Sequence, residues 1–144
     1  MQRFIDAQSG GVYERAAQEL ARGSTESHWM WFIFPQLAGL GHSAMSELYA
    51  IASLAQAGVY LGDPVLGPRL LECARMVADA EGRSAVQIFG RIDAQKLRSC
   101  MTLFARAAPG EAVFQRVLAR CFQGQADPLT EQLLADGAGR RARS

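Results

Sequence analysis

The chain has 144 residues, 49% of them hydrophobic and 20% charged, with a formal net charge of +1. This composition predicts one globular domain with its own core and excludes a disordered chain. The near-zero net charge disfavours nucleic acid as a partner, and no apolar run is long enough to predict a membrane segment.

The first predicted helices lie on either side of the turn Ser9-Gly10-Gly11. A short helix precedes this turn. In the helix that follows it, Val12, Ala16 and Leu20 recur at helical spacing, and a glycine at position 23 is a plausible stop.

The segment 27–36, which we call the aromatic segment, reads Ser-His-Trp-Met-Trp-Phe-Ile-Phe-Pro-Gln and holds both tryptophans. Each aromatic side chain buries about 150–250 Å² when packed, so we expect this segment at the centre of the fold. Because it is apolar on all sides, periodicity leaves helix and strand both open. We favour a helix, since no second segment is a clear strand partner, and Pro35 is expected to end it.

Capping signals mark the remaining helices. Ser43 is expected to cap a helix through about Leu54, with Met45 and Leu48 facing inward. Asp-Pro pairs, typical of helix starts, occur at 63–64 and 127–128. Further helices are predicted at about 63–80, 84–89, 93–108, 113–123 and 127–134.

These elements predict an all-α fold: a single compact domain over 1–136, with about seven to nine helices around the buried aromatic segment. The residues 137–144 are expected to form a disordered basic tail. Three cysteines, Cys73, Cys100 and Cys121, fall in apolar helical patterns, which favours buried reduced thiols in a cytoplasmic protein. No metal-ligand or phosphate-loop motif occurs, so neither a metal nor a cofactor is predicted.

The aromatic segment also carries a family resemblance. Together with Gly39-Leu40-Gly41, Tyr49-Ala50-Ile51, Pro64-Val65-Leu66-Gly67, Ile88-Phe89-Gly90 and Met101-Thr102-Leu103-Phe104, it resembles the uncharacterised family known as domain of unknown function 1810. The likeness covers nearly the whole chain apart from the tail. It implies a single all-helical domain found mainly in bacteria and implies no established activity. The chain departs from the pattern at Asp63, where a histidine is expected, and at Cys100, where serine is common.

Several residues in the aromatic segment are candidates for a site. His28 could act as a general base or contact a ligand, or it could simply bond to backbone. Trp29 and Trp31 could stack on a base, a nicotinamide or a sugar, although core packing is commoner. Residues two apart on a helix face different ways, so at most one tryptophan is expected to line a site. The amide of Gln36 could read a polar ligand or stabilise the turn.

Three charged residues complete the candidate set. Arg69 could hold a carboxylate or phosphate bidentately, or form a buried pair or a surface group. Asp93 and Lys96 lie three apart on a predicted helix, beside its apolar stripe. Lys96 could act as a nucleophile or base; alternatively it extends along the apolar surface or pairs with Asp93, whose own role could be a helix cap.

Two functions remain open at this stage, and whether the protein is an enzyme stays undecided. The first is a binding domain or small enzyme for a polar or anionic small molecule, such as a nucleotide-like ligand, in a pocket beside the aromatic segment. The alternative is a protein–protein interaction module without catalytic activity, in which a dimer face or another exposed apolar patch is the working surface.

Overall fold

The computed structural model describes residues 1–80 and 82–143, with side chains up to Gly137. Within these residues the chain forms ten helices and no β-strand beyond one isolated bridge, which confirms the predicted all-α class. The helices are α1 (Gln2–Gln8), α2 (Val12–Arg22), α3 (Met30–Ile33), α4 (Ala44–Leu48), α5 (Leu54–Gly62), α6 (Leu66–Asp79), α7 (Ala85–Phe89), α8 (Arg91–Ala107), α9 (Ala112–Phe122) and α10 (Pro128–Arg143).

The last helix is longer than the sequence pattern predicts. The apolar positions end near Leu134, whereas α10 continues to Arg143 and so overlaps the predicted tail, 137–144. The side chains after Gly137, and Ser144 altogether, lie outside the described residues. The expected disorder of the tail therefore stays a prediction.

The predicted capping residues Ser84 and Asp127 do start helices. The hydroxyl of Ser84 accepts a hydrogen bond from the Gln87 N–H at 3.1 Å, and the Ser84 N–H donates in turn to the side-chain carbonyl of Gln87 at 2.8 Å. Asp127 accepts the N–H of Thr130 at 3.0 Å and begins α10. These bonds satisfy backbone donors that have no partner within the helix.

The region after Ser43 differs from the prediction. Ser43 does cap a helix, but α4 ends at Leu48, and the chain then extends to place Ile51 beside Leu37 before α5 begins. The Ile51 N–H donates to the Gln36 carbonyl and the Ala38 N–H to the Ile51 carbonyl, both at 2.8 Å. The predicted helix is thus shorter than expected, and α5 forms beyond its predicted end near Leu54, which brings the number of helices to ten.

The side chains of α4 also face differently from the prediction. Met45 and Leu48, expected inward, are 39% and 52% exposed. Their apolar spacing indicated a buried face, but a helix of five residues presents too little length to bury it.

The core is built around α8, against which α5, α7, α9 and α10 all pack. Leu97, Met101 and Phe104 of this helix are fully buried, as their spacing predicts. A second layer forms where α6 packs on α2, α5 and α9. No helix in the described part of the chain is long and apolar enough to cross a membrane.

The aromatic segment lies inside this core, which confirms its predicted position. Only Met30–Ile33 is helical, and the flanking residues Trp29 and Phe34 are buried in irregular conformations. Both contact Phe89 of α7, with ring centres 6.4 and 6.1 Å apart in edge-to-face arrangements. Such pairs stabilise beyond the area that they bury. The segment therefore anchors the N-terminal helices to α7 and α8.

Candidate ligand-binding site

A pocket of about 700 Å³ opens between the loop that follows the aromatic segment and the first half of α8. Trp31 and Gln36 line it from the aromatic segment, and Leu40 and His42 from the loop. The start of α10 closes one side through Asp127 and Leu129. The volume lies within the range of about 300–1,000 Å³ that is typical of small-molecule sites.

One face of α8 forms the opposite wall. Residues four apart on a helix lie above one another, so Arg91, Gln95 and Ser99 form one row and Ile92 and Lys96 a second. The sequence singled out Lys96 alone from this face. The others could have been found by extending its helical spacing towards the first turn of α8.

Lys96 is held in place by two contacts. Its ammonium lies 3.6 Å from the centre of the Trp31 ring and 3.2 Å from a carboxylate oxygen of Asp93. Only 19% of the Lys96 side chain is exposed, against 35% for Asp93. The indole face attracts the cation and the carboxylate fixes its direction. The sequence interpretation of Asp93 as a helix cap is replaced by this pairing, because α8 already begins at Arg91.

The loop wall is fixed by backbone bonds. Gln36 follows a buried proline, and its carbonyl accepts the N–H of Ile51. Gly39 then adopts a φ of 98°, a conformation that favours glycine and that turns the loop. Beyond this turn the hydroxyls of Ser43 and Ser46 bond to each other at 3.1 Å.

Asp127 joins α8 to α10 at the edge of the pocket. Its carboxylate is buried and accepts hydrogen bonds from Gln95 at 3.0 Å and from the Thr130 hydroxyl at 2.6 Å. Ser99 also lies within hydrogen-bond distance at 3.2 Å. Since these donors occupy the carboxylate oxygens, Asp127 serves as a structural link and offers few free acceptor positions to a ligand, although its negative charge remains at the edge of the pocket.

The pocket gathers polar groups that have no protein partner. Every buried side-chain N or O atom in the described residues is hydrogen-bonded. By contrast, within the same part of the chain, four side chains that line the pocket make no hydrogen bond: Trp31, Gln36, His42 and Arg91. Together with Lys96 they offer donors from three sides and an acceptor from Gln36.

Three of the predicted site residues lie elsewhere, and two of them lie together. His28 is exposed and lines a separate pocket of about 420 Å³ near the start of α2, with Arg15. Trp29 borders the same pocket but is only 2% exposed, and its indole N–H donates to Glu19 at 2.9 Å. The structure thus separates His28 and Trp29 from the group formed by Trp31, Gln36, Asp93 and Lys96.

Arg69 is engaged in internal contacts. Its guanidinium donates to the side-chain carbonyl of Gln8 at 3.2 Å and lies 4.6 Å from the centre of the Tyr13 ring. The Gln8 amide in turn donates to the carbonyl of Phe32 at 2.8 Å, next to the hydroxyl of Tyr60. Arg69 therefore supports α3 from the side of α1 and α6, and it does not line the pocket beside Trp31.

Glu19 is a structural residue that the sequence analysis missed. Its buried carboxylate accepts the N–H groups of Glu26 and Ser27, the Ser27 hydroxyl and the Trp29 indole, at 2.6–2.9 Å. Burial alone would raise the pKa of Glu19, but these hydrogen bonds outweigh it and lower the pKa to about 2. A signal was present, because Glu19 falls at the apolar positions of α2, beside Ala16 and Leu20.

The cysteines supply no reactive group to the pocket. Burial raises the pKa of Cys73 to about 12 and that of Cys100 well above its ordinary value, so both stay protonated. Cys121 is half-buried, in contrast to its predicted full burial. In the described ranges no three residues of the types that bind metals are grouped together.

Comparison with known proteins agrees with this fold. The family described as "Protein of unknown function (DUF1810)" matches residues 1–134. The crystal structure of the conserved hypothetical protein Rv1873 from Mycobacterium tuberculosis is similar, with a TM-score of 0.91 and 47% sequence identity over 93% of this chain and 95% of that one. No curated protein matches the sequence. The chain therefore belongs to the DUF1810 family of unknown function.

Proposed function

We propose that this protein binds a small anionic molecule in the pocket between the loop after the aromatic segment and α8. The observation that carries this proposal is the placement of Lys96, whose ammonium is fixed on Trp31 and beside Asp93 at the pocket wall. A free lysine side chain loses up to about 2 kcal/mol of conformational entropy when it is ordered. Here that cost is met before any ligand arrives.

The free hydrogen-bond donors of the pocket also favour an anion. Lys96 donates one hydrogen bond to Asp93, and an ammonium has two more hydrogens to offer. Arg91 lines the same wall and pairs with no carboxylate in the described residues. The oxygens of Asp127 already accept hydrogen bonds from Gln95 and Thr130. The formal charges of these groups cancel, but the two cations have donors to spare and the oxygens of Asp127 are occupied.

The rim supports a second candidate function. Ile92 and Leu129, which both line the pocket, are 74% and 48% exposed. Exposed apolar side chains beside a cleft are also typical of protein–protein contacts. In this alternative the pocket receives a side chain of a protein partner, and a free anion is not bound.

Isothermal titration with inorganic phosphate and ribose 5-phosphate, at constant ionic strength, tests the anion site. Wild-type protein is expected to bind at least one of them. Lys96→Met should weaken that binding about tenfold or more, since hydrogen bonds to a charged group contribute about 1.5–3 kcal/mol.

Arg116→Met is the matched control, because it also removes one positive charge and Arg116 pairs with Asp79 on the exposed surface of α9. It should leave the affinity unchanged. If neither anion binds, or if both variants lower the affinity equally, the proposed anion site is wrong. If wild type and Arg116→Met bind the anions and Lys96→Met does not, the protein-partner alternative is also excluded for this pocket.

A further inference from the structure

The pocket contains features that an anion alone does not use. The inference drawn from them rests on the anion site proposed above. We infer that the ligand also carries a flat ring with a hydrogen-bond donor beside an acceptor on its edge, as the base of a nucleoside monophosphate does, and that Gln36 reads this edge.

Gln36 differs from the other glutamines that are withdrawn from solvent. The buried Gln8 and the half-buried Gln56 both spend their side chains on internal bonds, to Phe32 and Arg69 in one case and to Ala52 in the other. The half-buried side chain of Gln36 makes no such bond within the described residues, and it lines the pocket. A primary amide presents a donor and an acceptor side by side, the arrangement with which glutamine binds the edge of a base.

The position of Gln36 is set before a ligand binds. Pro35 has a fixed φ, and the bridge between Leu37 and Ile51 holds the backbone on the other side. A polar group on such a rigid support discriminates between ligands better than one on a free loop, because less freedom is lost on binding.

The size and the apolar walls of the pocket fit a ring. A volume of about 700 Å³ is far more than a phosphate group needs. Leu40, Ile92 and Leu129 line the same space, and the last two have apolar surface exposed to water. A flat ring placed against them would remove that surface from water, which is favourable by about 25 cal/mol per Å².

The contact between Lys96 and Trp31 indicates where each end of the ligand lies in the pocket. With the ammonium 3.6 Å from its centre, that face of the indole is not free for a base to stack on. The base therefore rests on the aliphatic side chains with its edge towards Gln36, and Lys96 and Arg91 remain for the phosphate.

Titration calorimetry with the four common ribonucleoside 5′-monophosphates, compared with ribose 5-phosphate, tests the inference. At least one nucleotide should bind about tenfold more tightly than ribose 5-phosphate. Gln36→Ala should remove that advantage and leave the affinity for ribose 5-phosphate unchanged. Gln36→Met, which keeps a similar length and adds no charge but loses the amide, should do the same, and thermal unfolding checks that both variants fold.

Gln115→Ala, at an exposed glutamine on α9, is the matched control and should preserve the preference. If ribose 5-phosphate binds as well as every nucleotide, or if both Gln36 variants keep the preference, the inference is overturned while the anion site stands. If neither ribose 5-phosphate nor any nucleotide binds, the proposed function falls as well.

Discussion

The ammonium of Lys96 lies over the indole of Trp31, 3.6 Å from the ring centre, although the two residues belong to different helices. Trp31 belongs to the aromatic segment but is itself half-exposed. The packing of α8 against its neighbouring helices brings Lys96 to the same place. The charge that faces the pocket is thus positioned by the core of the protein.

The contribution of Trp31 to anion affinity should follow the strength of its cation–π contact with Lys96. Tryptophan is the strongest such partner, and an exposed contact contributes about 0.5–1 kcal/mol. We expect Trp31→Phe to weaken anion binding about twofold and Trp31→Leu about fivefold, measured by titration calorimetry. Equal affinities for all three proteins would mean that Trp31 does not position Lys96.

The carboxylate of Glu19 should make stability depend on pH in the acid range. Its pKa is about 2 when folded, against an ordinary value of 4.5, so the folded state is favoured by ionisation of Glu19 above pH 4.5. This contribution is lost as the pH falls from 4.5 towards 2. Glu19→Gln should destabilise the protein by about 1–3 kcal/mol near neutral pH, because it disturbs four donors that are buried or part-buried.

Urea unfolding of wild type and Glu19→Gln between pH 2 and 7 separates Glu19 from the other carboxylates, which titrate in both proteins. The difference in free energy of unfolding should shrink towards pH 2. A difference that stays constant over this range would show that the low pKa is not what stabilises the 26–29 turn.

Gly67 and Gly58 together test the packing of α5 against α6, because both lie in helices but only Gly67 is in close contact with the other helix. A methyl group on Gly67 would overlap the carbonyl of Leu61, whereas one on Gly58 meets nothing. Gly67→Ala should therefore destabilise by about 1–3 kcal/mol or more. Gly58→Ala should stabilise by up to about 1 kcal/mol through helix propensity. Thermal unfolding of both variants checks this, and a stable Gly67→Ala protein would contradict the close contact between α5 and α6.

Arg69 should be important for stability and unimportant for the ligand. Arg69→Met removes its bond to Gln8 and its contact with Tyr13, at an expected cost of about 1–2 kcal/mol. Anion affinity should not change, because Arg69 lies away from the pocket. Loss of binding in a folded Arg69→Met protein would show that Arg69 does contribute to the ligand site.

The sequence predicted those features that depend on neighbours along the chain. The cap at Ser84, the start of α10 at Asp127 and the burial of Trp29 all follow from local patterns and apolar area. The all-α class follows from the same periodicity.

The grouping of the site residues could be predicted only in part. Trp31, Gln36 and Lys96 were candidates, and they do meet. Their separation from His28 and Arg69 depends on how α1, α2 and α6 pack around α3, and helical spacing gives no sign of that packing. Glu19 was missed because the helical spacing was followed through the apolar residues alone, although its position on α2 pointed inward.

The central claim is that Lys96 is held on Trp31 and faces an anion, and one property of the chain makes it directly measurable. Lys96 is the only lysine in the sequence. Growth with ¹³C-labelled lysine therefore labels a single lysine side chain for the NMR spectrum. This labelling leaves the ammonium of Lys96 and its three hydrogens unmodified.

We expect the signal of the Lys96 methylene next to the ammonium to be shifted upfield by the indole ring, to return to the free position in Trp31→Leu, and to move on addition of phosphate or ribose 5-phosphate. A Lys96 signal at the position of free lysine, unmoved by either anion, would contradict the account.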